Sequence, residues 1–371
     1  MLCTWRDTGK ITFDIYRKSI HACYSGVWQS VHITPESKAA PDRMDYIVWH
    51  QDIIMAAPTI DLEVFRIPGE GLFMAAASFD NSDLKKQQSA ILKWEKGNFR
   101  VYQSLYTLGA QGWEHFQIGN KFFLAVANLG SRRDKPSKSV IYKWSRRRKR
   151  FETYQELVTW TARDIEYFRV EGSHYLAVAN HVRVANSYSG PPQSTTKLHS
   201  VIYFWEEGQF LPFQKLETTG ATDWEFFSFN DEFFLVVANA YNYGDHINKI
   251  TERYRTNSTI YRLNVLRKRF EVYQEILTYS AVDWEYFKVG SDHYLIVSNA
   301  QQDGATGYGP HLSSTHSAIY RWQGVEKFVP VHYLDSLPSA DWEVFVEDQT
   351  TYLAYANAND NISQVYKVKL V

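Results

Sequence analysis

The stretch Ala281-Val-Asp-Trp-Glu-Tyr-Phe-Lys-Val-Gly-Ser-Asp-His-Tyr-Leu-Ile-Val-Ser-Asn299 decides how the whole chain is read. Two apolar runs, Trp284 to Val289 and Tyr294 to Val297, flank Gly290, Ser291 and Asp292, and β-branched and aromatic residues dominate both. That pattern predicts two antiparallel strands joined by a tight turn, with a signature at each end.

The same phrase recurs at Ala221 to Asn239, Ala340 to Asn357, Ala162 to Asn180 and Ala110 to Asn128, with a worn copy at Ile60 to Ser78. Its glutamates, Glu63, Glu114, Glu166, Glu225, Glu285 and Glu343, fall 51, 52, 59, 60 and 58 residues apart, while Glu to the closing Asn stays at 14 in the last five copies. The hairpin is therefore constant and something outside it varies. An Ile-Tyr-Arg/Lys-Trp strand follows each hairpin, and a Phe-x-x-Tyr-Gln strand follows most of these, from Phe99 to Phe328. Four short strands per unit, repeated at this spacing, predict an all-β propeller of four-stranded antiparallel blades.

The order of motifs also predicts their places. The Asp-Trp-Glu strand is innermost and the Phe-x-x-Tyr-Gln strand outermost. The chain ends one strand short of a full unit, and Tyr46 to Gln51 supplies the missing pattern at the other end. Pairing of N- and C-terminal strands would close the ring and cover its open edges. Residues 45–371 form the propeller on this reading; residues 1–44 are a degenerate blade or the remnant of a preceding domain.

Forty basic against forty-one acidic residues leave no charge bias toward nucleic acid or an anionic membrane. No apolar run reaches the ~18 residues of a membrane span. Met1 to Ile20 is charged throughout and lacks a signal-peptide core, so the literal reading is cytosolic, unless the chain is a piece of a longer secreted protein. The two cysteines, Cys3 and Cys23, are too few for a framework, and pairing between them is left open.

The recurrent carboxylates are the one candidate for chemistry. Asp61, Asp164, Asp223, Asp283 and Asp341 each precede a Glu by two, so both side chains of a pair point to one side of the strand. Three readings follow: acceptors for neighbouring backbone N–H groups, Ca²⁺ ligands at the five aspartates, or acid and base for a sugar or ester hydrolase. Repetition in every blade favours the structural one, since a catalytic pair is used once. The repeated Asn128, Asn180, Asn239, Asn299 and Asn357 read as Asx-type turns capping the second strand.

The connection from second to third strand lies on the face where the inner strand starts. It is long after Asn180, Asn239 and Asn299, where 20–22 residues separate the Asn from the next Ile. These loops carry Tyr188, then Tyr241, Tyr243, His246, Arg253, Tyr254 and Arg255, then Tyr308 and His311, the residue types of adaptable contact surfaces. Arg146 to Arg150 is a basic run at a strand-to-strand turn, read as a charged hairpin tip.

The motifs Ala-x-Asp-Trp-Glu-x-Phe, Leu-x-Val-Ala-Asn, Ser-x-Ile-Tyr-Arg-Trp and Phe-x-x-Tyr-Gln resemble the epilepsy-associated, or epitempin (EAR, EPTP), repeat over residues 45–371. The resemblance implies a seven-bladed propeller, extracellular or secreted, that binds other proteins at the cell surface and has no catalytic activity. Six repeats are readable, so seven blades are favoured by the resemblance and six are the alternative.

Overall fold

The structure is a computed structural model that describes residues 11–14, 19–24, 27–30, 44–79, 88–130, 134–185, 193–242, 253–300, 315–336, 341–358 and 361–370. It divides into two compact units, residues 1–47 with 368–371, and residues 48–367. In the first, the strands Ile11–Asp14, Ser19–Tyr24 and Val27–Ser30 form a three-stranded antiparallel sheet. Cys23 is buried there and disulfide-bonded; Cys3 lies outside the described residues.

From residue 44 onward the strands form six four-stranded antiparallel blades. Blade 1 comprises Thr59–Ile67, Gly71–Ser78, Gln88–Glu95 and Asn98–Tyr106; blade 2, Ala110–Ile118, Lys121–Asn128, Ser137–Ser145 and Arg150–Thr159. Blade 3 comprises Ala162–Val170, Ser173–Asn180, Lys197–Glu206 and Gln209–Thr219; blade 4, Ala221–Phe229, Glu232–Asn239, Arg255–Asn264 and Arg269–Tyr279. Blade 5 comprises Ala281–Val289, Asp292–Asn299, Thr315–Trp322 and Phe328–Ser336. Blade 6 takes Trp342–Glu347, Thr350–Tyr355 and Ile362–Leu370, and Met44–Ile54 is its outermost strand, so the two chain termini share a sheet as expected.

Seven blades, favoured by the resemblance, give way to six. The physical reason lies in residues 1–44, which contain no Asp-Trp-Glu strand to place on the axis and whose described strands pair among themselves.

Each hairpin turns where the residues allow it. Asn230 and Asp231 both sit at positive φ, 51° and 58°, the geometry that matches the twist of the flanking strands. A bulge follows in every full inner strand. In blade 4 the register slips between Ala221 and Asp223, leaving Thr222 unpaired, and its Oγ1 donates to the Ala281 carbonyl of blade 5 at 2.9 Å. The bulge re-aims the strand just before its carboxylates.

Blades are joined by packing and by side-chain clamps. Apolar clusters fill the junctions 1–2, 2–3, 3–4, 4–5 and 6–1, each composed of one blade's Phe-bearing face and the next blade's Trp, Leu or Ile. Near the axis, rings stack from blade to blade: Phe65 on His115, Phe116 on Tyr167, Phe168 on Phe226 and Phe227 on Tyr286, at 4.4–5.1 Å. At the periphery, Gln51, Gln103, Gln155, Gln214 and Gln274 clamp the main chain of Phe99, Phe151, Phe210, Phe270 and Phe328 in the next blade. Each donates to the Phe carbonyl at 2.7–2.9 Å and accepts the Phe N–H at 2.9–3.1 Å.

A clamp satisfies two main-chain groups that packing shields from water. Replacing Gln214 by Ala should therefore lower unfolding free energy by about 2–4 kcal/mol. The same change at His332, which holds the corresponding place in blade 5 and makes no hydrogen bond among the described residues, should cost under about 0.5 kcal/mol. Urea unfolding of the two variants checks the difference.

Candidate binding face and the carboxylate axis

The inner strand of each blade has one edge with no strand partner, and its N–H groups need acceptors. For blades 1 to 5 the preceding blade supplies them. Asp61, Asp164, Asp223 and Asp341 accept the N–H of Trp113, Trp224, Trp284 and Leu62 at 2.8–3.1 Å. Glu63, Glu114, Glu166 and Glu225 accept the N–H of His115, Tyr167, Phe226 and Tyr286 at 3.0–3.2 Å. Blade 2, with Gly112 where the others carry Asp, has instead a hydrogen bond from the Arg163 guanidinium to Gln111 Oε1.

Crowding these carboxyls on one axis perturbs them all. Burial first, and neighbouring carboxylates second, push Glu63 and Glu225 up to about 8 and Glu343 up to about 9. Burial likewise raises Asp164 to about 7 and lifts Asp61, Glu114, Glu166, Asp223 and Asp341 above their ordinary values. Asp283, to about 6, and Glu285 shift the same way through loss of hydration near the axis, although both side chains keep a solvent-exposed side. Among the described residues no group of three or more His, Cys, Asp or Glu is disposed to hold a metal ion. For Asp61, Asp164, Asp223 and Asp341, one oxygen that a Ca²⁺ reading needs accepts a backbone N–H instead.

The repeated asparagines do something other than cap their own strand. Asn128, Asn180, Asn239 and Asn299 each accept, through Oδ1, the N–H of a residue twenty positions earlier, at or just past the end of the preceding outer strand. Nδ2 of Asn128, Asn180 and Asn239 donates to a carbonyl at the start of the third strand, at 2.8 Å. The side chain thus ties three segments at the loop face, where an Asx turn would reach only two residues along the chain. Beneath it, Ser–Thr pairs bridge third and fourth strands, as in Ser200 with Thr218 at 2.9 Å and Ser258 with Thr278 at 2.9 Å. The serine was visible in the repeat; the threonine needed its register.

On that face the loops of blades 3 and 4 meet. His181, directly after Asn180, is buried; its Nδ1 lies 3.0 Å from the Ala221 carbonyl and its Nε2 2.6 Å from the Tyr241 hydroxyl. Tyr241 stands edge-on to His181 and 6.4 Å from Tyr254, and Asn242 donates its N–H to the Arg253 carbonyl. Gly220 sits at φ +60° under this contact, where an added Cβ would fall 2.6 Å from the Tyr241 carbonyl oxygen. The blade 3 loop includes a two-stranded ribbon, Arg183–Ala185 with Gln193–Thr195, and Arg183 lies over the Trp160 ring at 4.8 Å.

The structure thus brings together Tyr241, Arg253 and Tyr254 of the expected loop residues, and adds Trp160, His181 and Arg183. Trp160 lies outside the long loops, and His181 and Arg183 stand at the root of the one after Asn180, where nothing in the sequence shows which blade 4 residue they would meet. Arg255 begins the third strand of blade 4 and is exposed. Tyr188, Tyr243, His246, Tyr308 and His311 lie outside the described residues. The basic run is tied into its own neighbourhood: Arg146 donates to the Asn120 carbonyl, Arg148 pairs with Glu152 and Lys149 with Glu70.

A propeller with a hydrogen-bonded carboxylate axis and variable loops on one face is a repeat scaffold. A family model for the EPTP domain matches residues 98–145, 150–206, 209–264 and 269–323, and the chain belongs to that family. The "Thrombospondin-type laminin G domain and EAR repeat-containing protein" of Homo sapiens is 38% identical over 419 residues, covering 99% of this chain and 58% of the relative. "Leucine-rich repeat LGI family member 3" of Macaca fascicularis is 25% identical over 284 residues, covering 75% of this chain and 43% of the relative. The chain therefore spans little more than half the length of the first of these. A solved alpha-l-arabinofuranosidase from Fusarium graminearum covers 83% of the chain and 92% of its own at 8% identity and a TM-score of 0.49, a likeness that carries nothing for function.

Two outcomes follow from the axis. Carboxyls raised in the folded state keep their protons where the unfolded chain has released them. Stability is thus fullest below about 4.5 and is lost as pH rises through the folded values of about 6 to 9. Melting temperature should be roughly 5–10 °C lower at pH 9 than at pH 5. Glu225→Gln, which keeps an oxygen for the Tyr286 N–H, should flatten that slope; a rising slope would reject the account. At pH 7 a Ca²⁺ chelator should leave the melting temperature unchanged, and a fall on chelation would reinstate the metal reading.

Proposed function

We propose that this chain is an extracellular protein-interaction module that grips a cell-surface or extracellular protein with the long-loop face of blades 3 to 5. One observation carries the reading: the axis spends its carboxylates on backbone N–H groups, whereas the loop face presents aromatic and cationic side chains around Tyr241 and Arg183. Tyr, Trp and Arg are the residues that dominate binding energy at protein interfaces. The relatives, one named for a laminin G domain and EAR repeats and the other for a leucine-rich repeat, support the same reading. The disulfide at Cys23 supports an oxidising compartment. Among the described residues no helix is long and apolar enough to cross a membrane.

Binding of the intact chain to an array of cell-surface ectodomains, compared with Arg183→Glu/Tyr254→Ser, tests this. The variant should lose at least about tenfold in affinity with its melting temperature within about 2 °C of the parent. Unaltered binding would remove the loop face from the proposal.

The raised carboxyls favour a second reading, a propeller hydrolase acting on a sugar or ester, since an acid catalyst needs such a shift. A glycoside and ester panel with Glu225→Gln and Glu285→Gln as controls should show no turnover; hydrolysis abolished by either substitution would favour the enzyme.

A further inference from the structure

Five junctions between blades follow one code, and the junction between blades 5 and 6 does not. Elsewhere the leading face of a blade buries a large apolar residue at the start of its inner strand: Leu62, Trp113, Ile165, Trp224 and Trp284 are 1–5% exposed. Trp342, at that position in blade 6, is 47% exposed. On the trailing face, Ile67, Val170 and Phe229 are 1–6% exposed, whereas Val289 of blade 5 is 60% exposed. Val344, two residues past Trp342, is 62% exposed.

The polar half of the code is open in step. Asp283 and Glu285 accept no backbone N–H from blade 6 among the described residues, although Asp223 and Glu225 both accept one from blade 5. His332 stands where five glutamines clamp a Phe main chain. Neither a hydrogen bond, a ring contact nor a shared apolar cluster joins blades 5 and 6 among the described residues.

The two open faces are different halves of the code. Blade 5 presents the trailing half, Asp283, Glu285, Phe287 and Val289; blade 6 presents the leading half, Trp342 and Val344. An occupant that satisfies both must carry a leading face on one side and a trailing face on the other, which is the definition of one blade in the common orientation. A second copy of the chain exposes these halves only at its own seam. The alignment with the Homo sapiens relative is also longer than this chain by roughly one repeat.

We propose that the seam between blades 5 and 6 is a docking site for one further four-stranded blade of this repeat class, supplied by another EPTP-repeat polypeptide. The blade would set its own Trp-type leading face against Phe287 and Val289, and its Phe-type trailing face against Trp342. Its inner-strand N–H groups would find Asp283 and Glu285 as acceptors.

The test uses the full chain carrying Val344→Cys, with maleimide reactivity and melting temperature as readouts. The probe is a soluble fusion displaying residues 221–280 of this sequence, one complete repeat. Expected are a 1:1 complex by sedimentation, labelling of the introduced thiol slowed at least about tenfold, and loss of both with Val289→Lys. Because an isolated blade is marginal by itself, a second arm inserts the same repeat after Ser336 of the chain. That variant should melt higher and protect the thiol. Failure in either arm overturns the proposal, as does self-association of the chain alone that protects the thiol, which would assign the seam to a second copy.

Discussion

An inner propeller strand has nothing beside one of its edges, and the rest of this molecule depends on how that edge is satisfied. An unpaired N–H shielded from water costs on the order of 1–3 kcal/mol, and each blade has two to account for near the axis. Where the pattern is complete the preceding blade answers with a carboxylate on each, as Asp223 and Glu225 do for Trp284 and Tyr286. The acceptors must stand on one side of their strand, hence the spacing of two. They must also be aimed along the ring, hence the bulge just before the aspartate.

That solution has an electrostatic consequence. Carboxyls shared around one axis repel one another and lose hydration, so their protons are held to unusually high pH. Eight of them are acceptors that a neighbouring inner strand cannot do without. At the outer rim the same need is met by neutral glutamines, which give and take a hydrogen bond at one Phe and carry no charge to crowd. Axis and rim together make a scaffold whose geometry is set by side chain to backbone bonds between blades.

A scaffold of that kind frees its loops. The face where inner strands begin carries connections of very different length, anchored at their roots by the asparagine bridges and the Ser–Thr pairs. Variation above those roots leaves the wheel undisturbed, which is how one family framework can present different surfaces. The seam beside blade 5 is a second kind of surface, made from the framework code itself where its partner is missing.

Much of this was legible in the residues. The hairpin at Ala281 to Asn299, its five relatives and the order of motifs determined strand type, strand order within a blade, the face that carries the long loops, and the terminal strand that completes blade 6. Period-two patterning and fixed spacing are local properties, and a chain displays them without folding. The Gln clamps, the asparagine bridges, the His181–Tyr241 contact and the number of blades were decided only by tertiary structure. The contacts depend on which group from another blade or loop arrives within about 3 Å of a given side chain. No spacing along the chain encodes that distance, because it is set by the twist of whole sheets and the angle at which they pack around the axis.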